Sequence, residues 1–479
     1  MNGLIRAIFL IHRYMGIAIG VLMAVWCLSG VVMMYVPYPR LAEELRTGGL
    51  APIDWKGCCA LDAVGLAPDA PVVRFQLEAL GERTVLRVAS EGAPPQMIDA
   101  STGAAVAQID VPEAATVAQR FSYSLGVSGR PSSLGEVARD QWTVAGSSRE
   151  RPYHLFALAD DRNTRLYVSS VTGRATQVTD GPQRFWNWLG SVPHWIYPTV
   201  LRQNPPLWSQ VVIWTSLVGT FLAVTGIYLG IRQFGRQRDG RWASPYRGFL
   251  YWHHVPGLIF GVFALSWVFS GLLSMNPWGL LETQGISEDM DALSGERPRW
   301  SEVRSLLDAM AEKMPPDVVS LSEAPFGGQL FAVAVKRDGT RHRLDASGEE
   351  RPLSSEELTA AAHRLGAEGN VRAWELLTRE DDYNYTVGRN EATLPVLRVR
   401  TGERNATVYY LDPVSGRLLN KIDSGGRAYR WWHSGLHQLD FTATMRTSVF
   451  RNFLMLPLLL GAAVVASTGA WLGIRRLTR

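Results

Sequence analysis

The sequence predicts a membrane protein with four transmembrane α-helices in two repeated pairs and two external α+β domains. Three observations predict it. Hydrophobicity collects in four runs, near Leu4–Tyr35, Val211–Ile231, Leu250–Met275 and Phe453–Ile474, each close to the ~20 apolar residues that cross a bilayer. The runs are duplicated. His12, Gly16, Gly20 and Ser29-Gly30 recur 241 positions later as His253, Gly257, Gly261 and Ser270-Gly271. TGIYLGIR at Thr225–Arg232 and the upstream His194 recur 243 positions later as TGAWLGIR at Thr468–Arg475 and His437. Finally, the stretches between the runs alternate apolar and polar residues, with turn residues between, as strands do. Internal repeats of this kind set the architecture before any single residue does.

Taken in order, residues 1–36 form the first span. It is long and aromatic and lacks a small-residue cleavage site, which reads as a retained anchor. Residues 37–184 form the first external domain, with strands such as Thr84–Val88 and Arg165–Val168 and hairpin-like turns at Asp99–Gly103 and Ser169–Gly173. An aromatic, histidine-bearing bridge, 185–207, carries RFWNWLGSVPHWIYP (Arg184–Pro198). Trp and Tyr favour the membrane–water boundary, so this bridge is expected to lie flat there. The second span (208–232), a linker (233–248) and the third span (249–275) follow. The second external domain, 276–428, holds turns at Asp345–Gly348 and Asp412–Gly416 and helices over Ser301–Met314 and Ser354–Leu365. Asp opens such turns by accepting from backbone amides ahead of it, and Gly takes the positive φ that closes them. A second bridge, 429–450, carries YRWWHSGLHQLDF (Tyr429–Phe441); the fourth span is 451–475 and the tail 476–479.

The formal net charge of +4 matters less than where the basic residues sit. Arg6 and Arg13 flank the first span, IRQFGRQRDGRW (Ile231–Trp242) separates the second from the third, and Arg475, Arg476 and Arg479 follow the fourth. Short basic flanks stay in the cytoplasm. Both termini are therefore expected to be cytoplasmic and the large domains outside, in the periplasm of a bacterium whose inner membrane holds the chain. Membrane lipid is a partner and nucleic acid is not. The short cytoplasmic segments leave no room for a nucleotide- or flavin-binding domain. Three cysteines are too few for a disulfide framework; Cys27 reads as a small apolar residue and Cys58-Cys59 as two ordinary thiols, with a redox or metal role as the alternative.

Histidines at membrane depth make a functional hypothesis by default. His12 and His253 fall at equivalent depth near the inner side, His194 and His437 near the outer side. Two facing pairs are what two six-coordinate haems need, each iron taking two axial imidazoles. Gly16, Gly20, Gly257 and Gly261 would set the backbone back beside a flat macrocycle, although small residues at this spacing also serve plain helix packing. His254 adjoins His253 and is an alternative ligand. His433 shares the face of His437, while Gly190 occupies the corresponding place in the first half; a role toward substrate and an interfacial structural role are both open. His154, His342 and His363 carry no pattern and read as surface residues. Soft-metal, serine-elbow, HExxH and phosphate-loop patterns are not found.

HRYMGIAIG with its later SG, HHVPGLIFG, WWHSGLH and the two TGxxLGIR segments resemble the PepSY-associated transmembrane-helix family of bacterial inner-membrane proteins, and YYLDPVSGRLL (Tyr409–Leu419) resembles the strand–turn–strand of PepSY domains. The family includes iron-regulated proteins similar to di-haem reductases that release iron from ferric siderophores. The resemblance implies PepSY-like external domains, two b-type haems and ligands at His12, His253 and His437, with His194 carried by the internal repeat. It further implies a quinol or cytoplasmic electron donor and a ferric siderophore or other ferric chelate as acceptor. The catalytic residues stay unassigned, with His433 and Arg430 as candidates for the substrate side and Arg184 and Arg427 as further cations available to an anionic chelate. A non-enzymatic PepSY binding or regulatory module and a haem or metal transporter are the alternatives.

Overall fold

The computed structural model describes residues 3–236, 241–365, 371–387, 391–402 and 406–478. Part of the predicted linker and both ends of the chain lie outside these residues. Among the described residues, four helices are long and apolar enough to cross a membrane: Gly3–Met33, Pro205–Gln233, Phe249–Ser274 and Ser448–Leu477. At 1.5 Å per residue even the shortest, of 26 residues, runs about 39 Å, more than a bilayer core of ~30 Å. Asn204 caps the second span by accepting from the Leu207 amide, and prolines fill its first turn, where the missing N–H costs nothing. The helices pack as a ring in which the first touches the second and fourth, and the third touches the same two. Gly20 and Gly261 serve that packing. A methyl on Gly20 would lie 3.4 Å from the Ala470 Cα, and one on Gly261 3.4 Å from Ile227. Here Gly20 lets the backbone of the fourth span approach, and Gly261 receives the Ile227 side chain.

The extramembrane strands are β1 (Val72–Leu80), β2 (Arg83–Ser90), β3 (Gln96–Asp99), β4 (Ser132–Val137), β5 (Tyr153–Ala157), β6 (Arg165–Ser169) and β7 (Ala175–Thr179) before the second span. β8 (Gly235–Arg236) and β9 (Trp242–Ala243) form a small hairpin between the second and third spans. After the third span come β10 (Val318–Glu323), β11 (Ala332–Lys336), β12 (Arg341–Leu344), β13 (Val371–Leu377), β14 (Val396–Thr401), β15 (Val408–Leu411) and β16 (Leu418–Ile422). The two segments do not stay apart as two domains. They share one six-stranded sheet, ordered β12-β11-β10-β1-β2-β3, with β1 antiparallel to β10 and Leu77 facing Leu321. Each half supplies a three-stranded meander whose first strand would otherwise be an open edge, and pairing the two edges removes both. Phe75, Leu77, Leu321 and the helix residues Val303 and Leu307 close the core beneath this seam.

Each segment then builds its own four-stranded sheet, β4-β5-β6-β7 and β13-β14-β15-β16. β5, β6 and β7 start 243 positions before β14, β15 and β16. The turns follow their predicted chemistry. Asp99 accepts from the Ser101 and Thr102 amides, Asp345 from those of Ser347 and Glu349, and Gly103, Gly348 and Gly416 all carry positive φ. The helix expected from Ser354 opens there, with Ser354 and Glu357 capping each other reciprocally. The other is shifted by two residues: Arg299 precedes Trp300–Lys313 and Glu302 reaches back to the Arg299 amide, so Ser301 lies inside the helix.

Two further expectations are corrected. His154 is buried, its Nε2 2.8 Å from the Ile109 carbonyl, because β5 turns it into the sheet rather than toward solvent. Cys58 and Cys59 are joined as a vicinal disulfide, half-buried against the shared-sheet core.

Both four-stranded sheets rest on the bridges that follow them. From the β4–β5 connection, Gln141 donates to the Tyr197 carbonyl at 2.8 Å and accepts from the Thr199 amide at 3.0 Å. From the β13–β14 connection, the Asp381 carbonyl accepts from Arg446 at 3.1 Å and that of Asp382 from Arg430 at 2.7 Å. The bridges themselves are short helices opened by Asp180 and Asp423, whose carboxylates accept from the Gln183 and Gly426 amides.

Candidate functional site

Span 1 carries His12 about two and a half turns from its start at Gly3, and span 3 carries His253 about one turn from its start at Phe249. Their rings face each other with centres 6.3 Å apart. Neither imidazole is free to turn. His12 Nδ1 lies 3.2 Å from the Leu222 carbonyl and 3.2 Å from the Thr225 hydroxyl, both on the second span. His253 Nδ1 lies 3.0 Å from the Val465 carbonyl on the fourth. A carbonyl only accepts, so Nδ1 carries the proton and Nε2 keeps its lone pair. Gly226 and Gly469 make this approach possible. A methyl on either would stand 2.8 Å from the Cε1 atom of His12 or His253. Gly16 and Gly257 are roomier: a methyl there meets only Leu222 or Val465, at 3.8 Å.

A second pair forms where the bridges meet the other ends of spans 1 and 3. His194 and His437 have ring centres 6.1 Å apart. His194 Nδ1 is 3.1 Å from both the Trp26 carbonyl and the Ser29 hydroxyl. His437 Nδ1 is 2.9 Å from the Ser270 hydroxyl, which itself donates to the Trp267 carbonyl. Gly30 and Gly271 lie beside these rings; added methyls would come 3.5 Å and 3.8 Å from the two Cε1 atoms. The anchors Leu222 and Val465, Ser29 and Ser270, Gly226 and Gly469, and Gly30 and Gly271 recur at offsets of 241 or 243 positions. His12 to Trp26–Gly30 is 14 to 18 residues of one helix, so the pairs are separated along the span by roughly 21–27 Å.

Burial holds both histidines of this second pair in the neutral form: the pKa of His194 is lowered to about 4. That of His437 is lowered to about 3, by burial first and then by the His194 and His433 rings. Unfolded histidine protonates near 6.5. Stability carried by these two groups is therefore present above pH ~6.5 and is lost as pH falls from there through about 4 and about 3. Thermal melts in detergent of the chain without bound metal should show a lower midpoint at pH 5 than at pH 7, with a smaller drop in His437→Gln. An equal drop in both proteins would refute the assignment.

All four predicted ligands are thus brought together, in the predicted pairs. The other candidate residues, His254, Arg430, Arg184 and Arg427, are engaged elsewhere. His254 is buried with both nitrogens engaged, Nδ1 at 2.7 Å from the Ser244 hydroxyl and Nε2 at 2.9 Å from the Gly230 carbonyl. It ties the linker to the second span and offers no lone pair toward His12. Arg430 is also buried. It donates to Asp440 Oδ1 at 2.8 Å, the Asp440 carbonyl at 3.0 Å and the Asp382 carbonyl at 2.7 Å, sandwiched by Tyr385 and Trp431. It braces the second bridge and is not exposed to an incoming chelate. Arg184 is spent on the Thr179 and Asn163 carbonyls, and Arg427 donates to that of Ala406. His433 stays beside the outer pair, its ring centre 5.4 Å from that of His437.

Sequence reasoning missed Gly226, Gly469 and Thr225 as parts of the site. The signal was there: both glycines sit in the duplicated TGxxLGIR segments. What was lacking was the knowledge that the small face receives an imidazole from another helix. Among the described residues, no group of three or more His, Cys, Asp or Glu side chains could hold a metal ion by itself. The donor sets on offer are two imidazoles each. No curated protein matches the chain. A family model described as the PepSY-associated TM region matches residues 9–347, more than two thirds of the length and three of the four spans; the chain belongs to that family.

Proposed function

We propose that this protein is a di-haem electron conduit of the bacterial inner membrane that reduces a ferric chelate, a ferric siderophore or similar, on the periplasmic side. One observation carries the reading: two facing imidazole pairs, each ring held through Nδ1, with ring centres 6.3 Å and 6.1 Å apart. The fit follows from bond lengths. Two metal–nitrogen bonds of about 2.0 Å plus roughly 1.1 Å from each nitrogen to its ring centre span about 6 Å. An Nδ1 donor to carbonyl is also the outer-shell arrangement that fixes the tautomer of a metal-bound histidine.

His12 and His253 would hold the inner haem b and His194 and His437 the outer one, with Gly16 and Gly257 leaving room beside the inner ligands. Bound haem supplies one-electron transfer, so electrons from a quinol or cytoplasmic donor can cross the bilayer to the acceptor. The chain's own work is to present four neutral imidazoles, to fix their planes and to keep water from them by burial. The recurring offsets support an ancestral duplication that made both pairs from one unit. Arg232, Arg475 and Arg476 at the span ends support cytoplasmic termini and a periplasmic location for the shared sheet.

The test is colour and stoichiometry. Protein purified in detergent from haem-replete cells should give two haems per chain by pyridine haemochrome, a Soret band that shifts with dithionite, and reoxidation by a ferric chelate. A folded, colourless preparation would sink the proposal and favour a non-enzymatic binding module. Chelate movement into vesicles without reduction would favour a transporter.

A further inference from the structure

The two halves differ at one chemically telling position. Where the first bridge has Gly190, the second has His433. Gly190 is boxed in: a methyl there would lie 3.0 Å from Val32. On the second bridge the helix loosens to a π-turn over Arg430–Gly435, a local form that recurs at functional sites. That turn sets the His433 ring beside the His437 ring, tilted by 34°, with the Tyr429 ring centre 4.8 Å from that of His433. His433 Nδ1 donates to the Ser270 carbonyl at 2.9 Å. The proton is therefore on Nδ1, and Nε2 has a bare lone pair with no partner among the described residues. The side chain is half-buried, and Nε2 is absent from the enclosed unpaired atoms. The buried Arg430–Asp440 pair and Tyr385, which donates to Asp440 at 2.9 Å, brace the turn. This is an oriented, accessible metal-ligating nitrogen that neither facing pair uses.

We infer that His433 is a substrate-side ligand: its Nε2 coordinates the iron of the incoming ferric chelate as that iron is reduced. The inference rests on the proposed function and names a contact for its acceptor. The chelate's Fe(III) gains one electron, ultimately from the quinol-class donor, and becomes Fe(II). One bond from iron to a hard chelate oxygen breaks, that oxygen takes a proton from water, and one iron–Nε2 bond forms. Imidazole suits Fe(II), whereas carboxylate and hydroxamate oxygens prefer the harder ion, so the exchange runs with the reduction. No second protein ligand is needed, because the chelate fills the remaining positions.

The contact can be read without turnover. Cu(II)-iminodiacetate has open positions that one exposed imidazole fills, and its electron paramagnetic resonance spectrum reports the added nitrogen. Wild type should bind one more equivalent than His433→Ala or His433→Gln. Both variants should keep two haems per chain. They should reduce a labile ferric hydroxamate or citrate chelate about tenfold or more slowly, the scale of losing a metal-site contact. Reduction of hexacyanoferrate(III), whose ligands do not exchange, should be unchanged. Equal slowing with both acceptors, no slowing, or no lost copper equivalent would overturn the inference. So would loss of one haem, which would make His433 an axial ligand. A wild type without haem would bring down the proposed function and this inference together; two haems with unchanged variants would bring down the inference alone.

Discussion

Gly469→Val should empty the inner pair and spare the outer one. A single methyl at this position already stands 2.8 Å from the His253 ring, closer than real contacts allow, and that ring is pinned by the Val465 carbonyl at 3.0 Å. Valine adds two more carbons on a helix that packs against both the first and third spans. The imidazole must swing away, since the backbone around it cannot. Overpacking of this kind costs about 1–3 kcal/mol in stability, yet the larger effect is on the ligand. Pyridine haemochrome should fall from two haems per chain to about one, and Gly226→Val should do the same through His12. Valine at Gly3, whose added methyl meets nothing within 4 Å, is the control. A Gly469→Val protein that retains both haems with an unshifted spectrum would show that the inner imidazoles are not held where the structure puts them.

Arg430→Met should be the most destabilising single change outside the spans. Both partners of this ion pair are almost fully enclosed, with the Arg430 and Asp440 side chains 6% and 2% exposed. Removing the guanidinium strands a buried carboxylate, a class of change that costs about 3–5 kcal/mol. It also releases the Asp382 carbonyl and removes the cation between Tyr385 and Trp431. The thermal midpoint in detergent should drop sharply, and because the second bridge carries His437, the outer haem should be lost before the inner one on heating. The double variant Arg430→Met/Asp440→Leu should recover much of the loss, since no unpaired charge remains. If the single and double variants melt alike, the pair contributes little and the bridge is held by its aromatic contacts instead.

Much of the site was legible in the chain because duplication writes the same geometry twice. His12 and His253 were identifiable from their common spacing to Gly16 and Gly257, and His194 and His437 from their shared distance to the TGxxLGIR segments. The division of labour among the glycines was not legible. Gly20 and Gly261 have the same helical spacing as Gly16 and Gly257, but they meet Ala470 and Ile227 of a neighbouring helix, and a one-dimensional pattern does not say which helix faces which stripe. Arg430 misled for a related reason. An arginine beside tryptophans at a bridge reads as a cation for an anionic chelate until a carboxylate ten residues on is found folded against it.

Taken alone, the sequence determined the four spans, the turns closed by Gly103, Gly348 and Gly416, and the four histidines that recur in register. These are encoded by composition and by short-range periodicity, which depend only on neighbours along the chain. Only the tertiary structure decided the rest. It joined β1 to β10 across the halves, set each Nδ1 on an acceptor 165 to 212 residues away, withdrew His254 and Arg430 from the site, and left His433 with an open nitrogen. Those outcomes depend on which surfaces are packed together, and close packing admits one arrangement among many that the same spacing allows.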